Sequence, residues 1–217
     1  WSKCLNRLRF GEITEEDRKL LEGRRLDNFP DLDQRKAMHV YYDNAAVDDY
    51  NSNMMETIEG SFVNLSAEIV VPRGYKPFIT PYGTVDDTQF RKTLSLKIGV
   101  RVMLTFNVRI SDSLINGALG TVVGFSYGKN SRVIAVVVSF DNPEVGCQQR
   151  KENQEFCREF ALQNGCPIFK STLKYQGTSI GSMNSHGARC KITQFPLKPA
   201  FASTTHKLQG TGMFSIL

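Results

Sequence analysis

Two hydroxyls, an imidazole, an ammonium and a carboxamide fall within residues 204–210, Thr204-Thr205-His206-Lys207-Leu208-Gln209-Gly210, just after the apolar run Ala200-Phe201-Ala202. Hydroxyls, a lysine and free backbone amides where a strand passes into a helix suit the capture of a phosphate oxygen. Gly210 lets the backbone approach a ligand closely because it carries no Cβ. An ordinary polar loop at a strand end uses the same residue types, so the local pattern leaves both readings open. A second set, Cys157, Cys166, His186 and Cys190, could in principle surround zinc. No CxxC pair is present and the spacing is too loose for a zinc signature, so these thiols, with Cys4 and Cys147, read as reduced.

Charge adds a partner class. The formal net charge is +5, but residues 1–60 hold 9 Lys+Arg against 13 Asp+Glu, whereas residues 61–217 hold 18 against 9. A basic C-terminal two-thirds suits a polyanion such as nucleic acid, although a basic solvated surface has the same composition. No apolar run approaches the length that crosses a bilayer. The first residues, Trp1-Ser2-Lys3-Cys4, are neither an initiator methionine nor a signal peptide, and both ends read as internal to a longer chain.

The elements that must position the 204–210 loop can be read from caps and turns. Residues 5–10 end a helix closed by Gly11, and Thr14 before Glu15, Glu16 and Asp17 caps a second with Leu20, Leu21 and Leu26 as its apolar side, ended by Pro30. Residues 37–42 read as a buried strand, Asp43-Asn44 as a cap, and residues 45–58 as a helix stopped by Gly60. Strand, capped turn and helix form the unit of an α/β layer domain. From Phe62 the pattern changes. Residues 94–105, 118–126 and 132–140 are β-prone and are separated by Asn116-Gly117 and Gly128-Lys129-Asn130, which predicts a small antiparallel barrel or meander. Their connections are too short for crossover helices. Residues 141–190 read as a long polar insertion with one helix over 150–163.

Four strings carry a family resemblance. Ser203 to Gly210 resembles the T-I/V-H-K-S-Q-G signature of superfamily-1B DNA helicases, most closely the petite-integration-frequency type, a RecD-like group that includes the helicase part of Helitron transposons. As in that family, Gln194-Phe195-Pro196-Leu197 and Lys198 precede it. LSLKIGVRVMLTFN and LINGALGTVVGF, within residues 94–125, are similar to the family's L-x-L-K-x-G-x-x-V-M-L-x-x-N and L-V-N-G-x-x-G-x-V. Leu5-Asn6-Arg7-Leu8-Arg9 with Gly11 resembles L-N-x-I-R-x-G, and residues 43–51 resemble T-N-x-x-V-x-x-Y-N. The strings occur in the family's order. Leu208 replaces the signature serine, and Thr211-Gly212-Met213 replaces the usual x-T-L, which puts one phosphate donor and the helix start in doubt.

The resemblance implies an α/β fold: part of a second RecA-like motor domain (1–92), an inserted SH3-like antiparallel β-barrel with a long loop (93–194), and a return to the motor domain (195–217). It implies a piece of an ATP-dependent 5′-to-3′ DNA helicase, with ATP and Mg2+ as cofactors of the full-length enzyme. Thr204, Thr205, His206 and Lys207 would lie on single-stranded DNA, Gln209 and Gly210 would couple that grip to ATP, and Asn116 and Gly117 would shape a barrel turn. No G-x-x-x-x-G-K-S/T occurs, and no arginine motif follows, so no catalytic residue is assigned and the piece alone is expected to be inactive on ATP. Its partners would be single-stranded DNA and an upstream RecA-like domain of the same chain, in a monomeric protein of the nucleus or mitochondrion. A non-catalytic nucleic-acid-binding module and an inactive transposon-derived relic are the alternatives. Repair, recombination, telomere upkeep and transposition all suit one motor. The cysteine spacing predicts no structural metal: elemental analysis of purified protein should find no zinc, and one zinc per chain would overturn the reading.

Overall fold

The computed structural model describes residues 1–29, 37–73, 75–77, 79–80, 83–85, 88–179 and 188–205. In chain order the elements are α1 (Ser2–Phe10), α2 (Glu15–Glu22), β1 (His39–Tyr41), α3 (Asn44–Glu56), β2 (Val63–Ser66), β3 (Glu68–Val70), β4 (Tyr75–Lys76), β5 (Thr93–Leu96), β6 (Arg101–Leu104), β7 (Leu119–Tyr127), β8 (Val133–Phe140), α4 (Cys147–Glu152), β9 (Cys166–Phe169), β10 (Ser171–Ser179), β11 (Ala188–Gln194), β12 (Leu197–Pro199) and β13 (Ala202–Thr204).

The helix caps form where their residues predict. Gly11 closes α1 at φ 75°, a left-handed conformation that a side chain resists. Thr14 and Asp17 make a reciprocal capping box on α2. Arg7 donates to both oxygens of Asp17 at 2.6 Å and holds that carboxyl well below the usual carboxylate range. The expected apolar side of α2 is not buried: Leu20 is 41% exposed, and Asp17 is the buried residue of that helix. Asp43 caps α3 by accepting from Ala46 N at 2.8 Å, and the helix ends two residues earlier than predicted, at Glu56. The strand expected over 37–42 shortens to three half-buried residues with Tyr42 fully in solvent, because β13 is its one strand partner among the described residues.

Strand direction divides the described chain into an α/β part and a β part. β1 and β13 pair in parallel, His39 opposite Ala202, with α3 packed on both. Every other strand pair is antiparallel. The largest sheet runs β12-β6-β7-β8-β9, beside a four-stranded sheet β3-β11-β10-β4 and the pair β2-β5. Leu94, Leu96, Val102, Leu114, Val136 and Phe195 meet in one buried core beneath them. Short reversals between β-branched runs account for the antiparallel pairing. The five-stranded sheet keeps β9 and β12 as free ends, so no closed barrel forms among the described residues.

Three sequence readings need correction. Residues 94–105 are two strands, broken at 97–100 where Gly99 takes φ 90°. The stretch 141–190 is not a loop throughout, since β9, β10 and the start of β11 lie in it. Some of its polar residues lie on strands, as where the hydroxyl of Thr172 on β10 meets that of Thr193 on β11 at 2.8 Å. The helix expected over 150–163 is α4 followed by two 3-10 turns, with a kink at Phe160. All five cysteines are free. Burial pushes the Cys166 thiol up to about 12, and among the described residues no three His, Cys, Asp or Glu side chains gather as a metal could require. No helix is long and apolar enough to cross a membrane among the described residues.

Gly120 shows why one motif glycine is needed. A Cβ there would sit 2.6 Å from Ser139 O and 3.0 Å from Phe140 Cα, so β7 and β8 approach too closely for any side chain. Gly120→Ala should lower stability by about 1–3 kcal/mol, the usual cost of overpacking, in urea unfolding. An unchanged midpoint would mean that the strands separate freely.

Candidate nucleic-acid interface

The loop that the sequence singles out begins at the end of β13. Thr204 is buried and Thr205 is exposed. His206, Lys207, Gln209 and Gly210 lie outside the described residues. What the structure does show is how their strand is held. On one side β1 supplies the ladder, His39 N donating to Phe201 O at 2.9 Å. On the other side no strand follows among the described residues, and a side chain takes its place.

That side chain is Asn51, 4% exposed on the middle of α3. Its Oδ1 accepts from Phe201 N at 2.8 Å and Ala202 N at 2.9 Å, and its Nδ2 donates to Ala202 O at 3.3 Å. One carboxamide thus satisfies three main-chain groups that would otherwise be buried without partners, each costing about 1–3 kcal/mol. Tyr50, its neighbour, lies against the rings of His39 and Tyr41 with centroids 4.3 and 5.6 Å away. α3 therefore grips both strands of the parallel pair. Sequence analysis placed Asn51 in a family string without a role. The usable signal was spacing: Val47, Asn51 and Met55 recur at i, i+4, so a carboxamide sits on an apolar helix face and must find partners.

Other motif residues tie segments together in the same way. Gln194, 1% exposed, donates to Leu65 O at 2.8 Å and Arg91 O at 3.2 Å and accepts from Phe195 N at 2.9 Å. Lys97 donates to Ile58 O at 3.0 Å, beyond the end of α3, and its Nζ lies 4.1 Å from the centroid of the Phe62 ring. Asn107 accepts from Asn116 N at 2.9 Å, and Gly117 turns at φ 93° and donates to Leu104 O. Asn116 and Gly117 thus form the reversal into β7.

A cleft of about 200 Å3 separates α3 from Thr84, Thr88 and Arg91, with Asn44, Asp48 and Lys198 also on its walls. The Arg91 guanidinium bonds the Asp48 carboxylate across it. This pair had no local signal, because its members stand 43 residues apart.

Asn51→Leu should destabilise the chain by about 2–4 kcal/mol, since Leu leaves Phe201 N and Ala202 N unpaired. Asn51→Asp keeps both acceptor contacts and should cost less. Equal losses in thermal or urea unfolding would show that the carboxamide acts by volume alone.

Residues 88–125 match the family model described as DNA helicase Pif1, 2B domain. The Pif1 helicase structure from Candida albicans is 21% identical at TM-score 0.67, covering 99% of this chain and 46% of that one. Unliganded Pif1 from Bacteroides sp. is 20% identical at TM-score 0.63, covering 99% and 41%. Bacteroides Pif1 in complex with ADP-AlF3 and ssDNA is 20% identical at TM-score 0.61, with the same coverage. The chain therefore spans about two fifths of the length of the Bacteroides structures. No curated protein sequence matches it. Segment and fold agree, and the chain is similar over nearly its whole length to Pif1-type DNA helicases, with their 2B domain matched at residues 88–125.

Proposed function

We propose that this chain is the strand-gripping part of an ATP-dependent 5′-to-3′ DNA helicase. The observation that carries the reading is the parallel strand β13, held between β1 and Asn51 and running straight into the 204–210 signature. On this reading β1, α3 and β13 belong to a second RecA-like motor domain, and the antiparallel strands are its SH3-like insert. The pairing of β2 with β5 and of β3 with β11 favours an insert that begins near residue 62 rather than 93.

Single-stranded DNA then lies over the exposed Thr205, just past the buried end of β13. Thr205 and Lys207 contact phosphates, Thr204 anchors the strand end from inside, and His206 adds a further donor. Such contacts carry no sequence information. Gln209 and Gly210 face the nucleotide side of the same loop. ATP with Mg2+ supplies phosphoryl-transfer energy to the full-length enzyme, in whose other motor domain we place the phosphate cradle. A Bacteroides Pif1 structure was obtained with both ADP-AlF3 and ssDNA, which supports the use of a nucleotide and a single strand together by a protein of this fold. We place the protein in the nucleus or mitochondrion as a monomer.

The test is fluorescence anisotropy with labelled oligo(dT) and a mixed-sequence strand. The chain should bind both with a clear salt dependence, and Lys207→Ala should weaken both equally and reduce the log–log salt slope by about one. No binding, or an unchanged slope, would overturn the assignment.

A further inference from the structure

We propose that the Asp48–Arg91 ion pair is a positioning link through which the antiparallel strands hold the gripping strand β13 in place. The inference rests on the strand-gripping reading above and names what sets the geometry of that site. Arg91 is anchored at its main chain, where Gln194 Nε2 donates to its carbonyl at 3.2 Å. Gln194 is itself buried and bonded to Leu65 and Phe195, so the Arg91 backbone belongs to the body of the β part. Its side chain crosses the cleft to Asp48 on α3, and both side chains are about three-quarters shielded, at 28% and 24% exposure. Asp48 and Asn51 are three residues apart on one helix, hence neighbours on its surface. Asn51 in turn holds Phe201 N and Ala202 N.

A path of hydrogen bonds joined by one turn of α3 therefore runs from the antiparallel sheet through Arg91 and Asp48, along the helix to Asn51, and on to the strand that ends at Thr204. Lys97 pins the far end of α3 at Ile58 O and Met55 packs into the main core, while Arg91 makes the polar contact from the β part to the middle of α3. Loss of the pair frees the middle of α3 to shift and loosens the clamp on β13.

Charge provides a test of sign. Asp48 is the acidic wall of a cleft that also holds Arg91 and Lys198. If the cleft acted on DNA by electrostatics alone, Asp48→Asn would tighten binding to a polyanion. A positioning link predicts the opposite. Asp48→Asn should weaken oligo(dT) binding by roughly threefold to tenfold, the usual effect of a mutation along a coupling route, and the exchanged pair Asp48→Arg with Arg91→Asp should restore it. Hydrogen–deuterium exchange at the Phe201 and Ala202 amides should speed up by a similar factor in Asp48→Asn and recover in the exchanged pair, roughly as the local opening free energy changes. Arg91→Gln replaces Asp48→Asn if that variant does not fold. Unaltered exchange at 201–202 overturns the link. So do tighter or unaltered binding by Asp48→Asn and failure of the exchanged pair to rescue. If the unmodified chain does not bind oligo(dT), the strand-gripping reading fails, and the exchange experiment still judges the link.

Discussion

A buried strand edge with no second strand beside it among the described residues is the constraint around which the α/β part is organised. β13 is three residues long and has one strand partner among the described residues. Its other edge faces a helix, whose own backbone groups are already spent on its internal ladder. Only a side chain with both a donor and an acceptor can satisfy an amide and a carbonyl there, and asparagine does so with a short, stiff reach. Aspartate lacks the donor, and leucine lacks both groups. The position of Asn51 thus decides where Phe201 and Ala202 lie, and through them where the chain leaves the sheet.

The same logic explains several motif residues that resemble chemical groups when read as letters. Gln194 and Lys97 are polar, yet each bonds the main chain of a distant segment, and Asn107 bonds the main chain of the turn nine residues on. Gly120 serves by having no side chain where β7 meets β8. In this chain the family strings record long-range cross-links as much as contacts to a ligand. A buried carboxamide or ammonium that joins two segments tolerates little substitution, because removing it orphans its partners.

Local physics was the readable part of the sequence. Gly11, Thr14 with Asp17, Asp43, Asn116-Gly117 and the runs at 118–126 and 132–140 each act within a few residues, and each element appears where those signals put it. β10 and β11 were missed because Thr172, Lys174 and Gln176 lie on strands rich in polar residues, and composition there imitates a loop. α2 was misread in the opposite sense: Leu20 has helical spacing but stays 41% exposed among the described residues. Of the candidate site, the loop was identified from residue types, while the groups that hold it were not. Arg91 and Asp48 are separated by 43 residues, and no periodicity reports a contact at that distance.

Three-residue ladders are weak, and β1 with β13 is one of them. A strand pair this short opens at little cost unless other groups hold it, so its geometry follows whatever α3 does. α3 is pinned from the β part at two places, by Lys97 beyond its C-terminal end and by Arg91 near its middle. Both pins come from segments that flank β5, which pairs with β2 and buries Leu94 and Leu96 in the main core. Met55 of α3 and Phe201, just before β13, lie in that same core, so a displacement of α3 reaches β13 through this packing as well as through the two pins. A strongly paired central strand would resist such a displacement, whereas a short strand held by one asparagine transmits it. The arrangement is suited to a loop whose hold on a ligand has to change with the position of neighbouring parts.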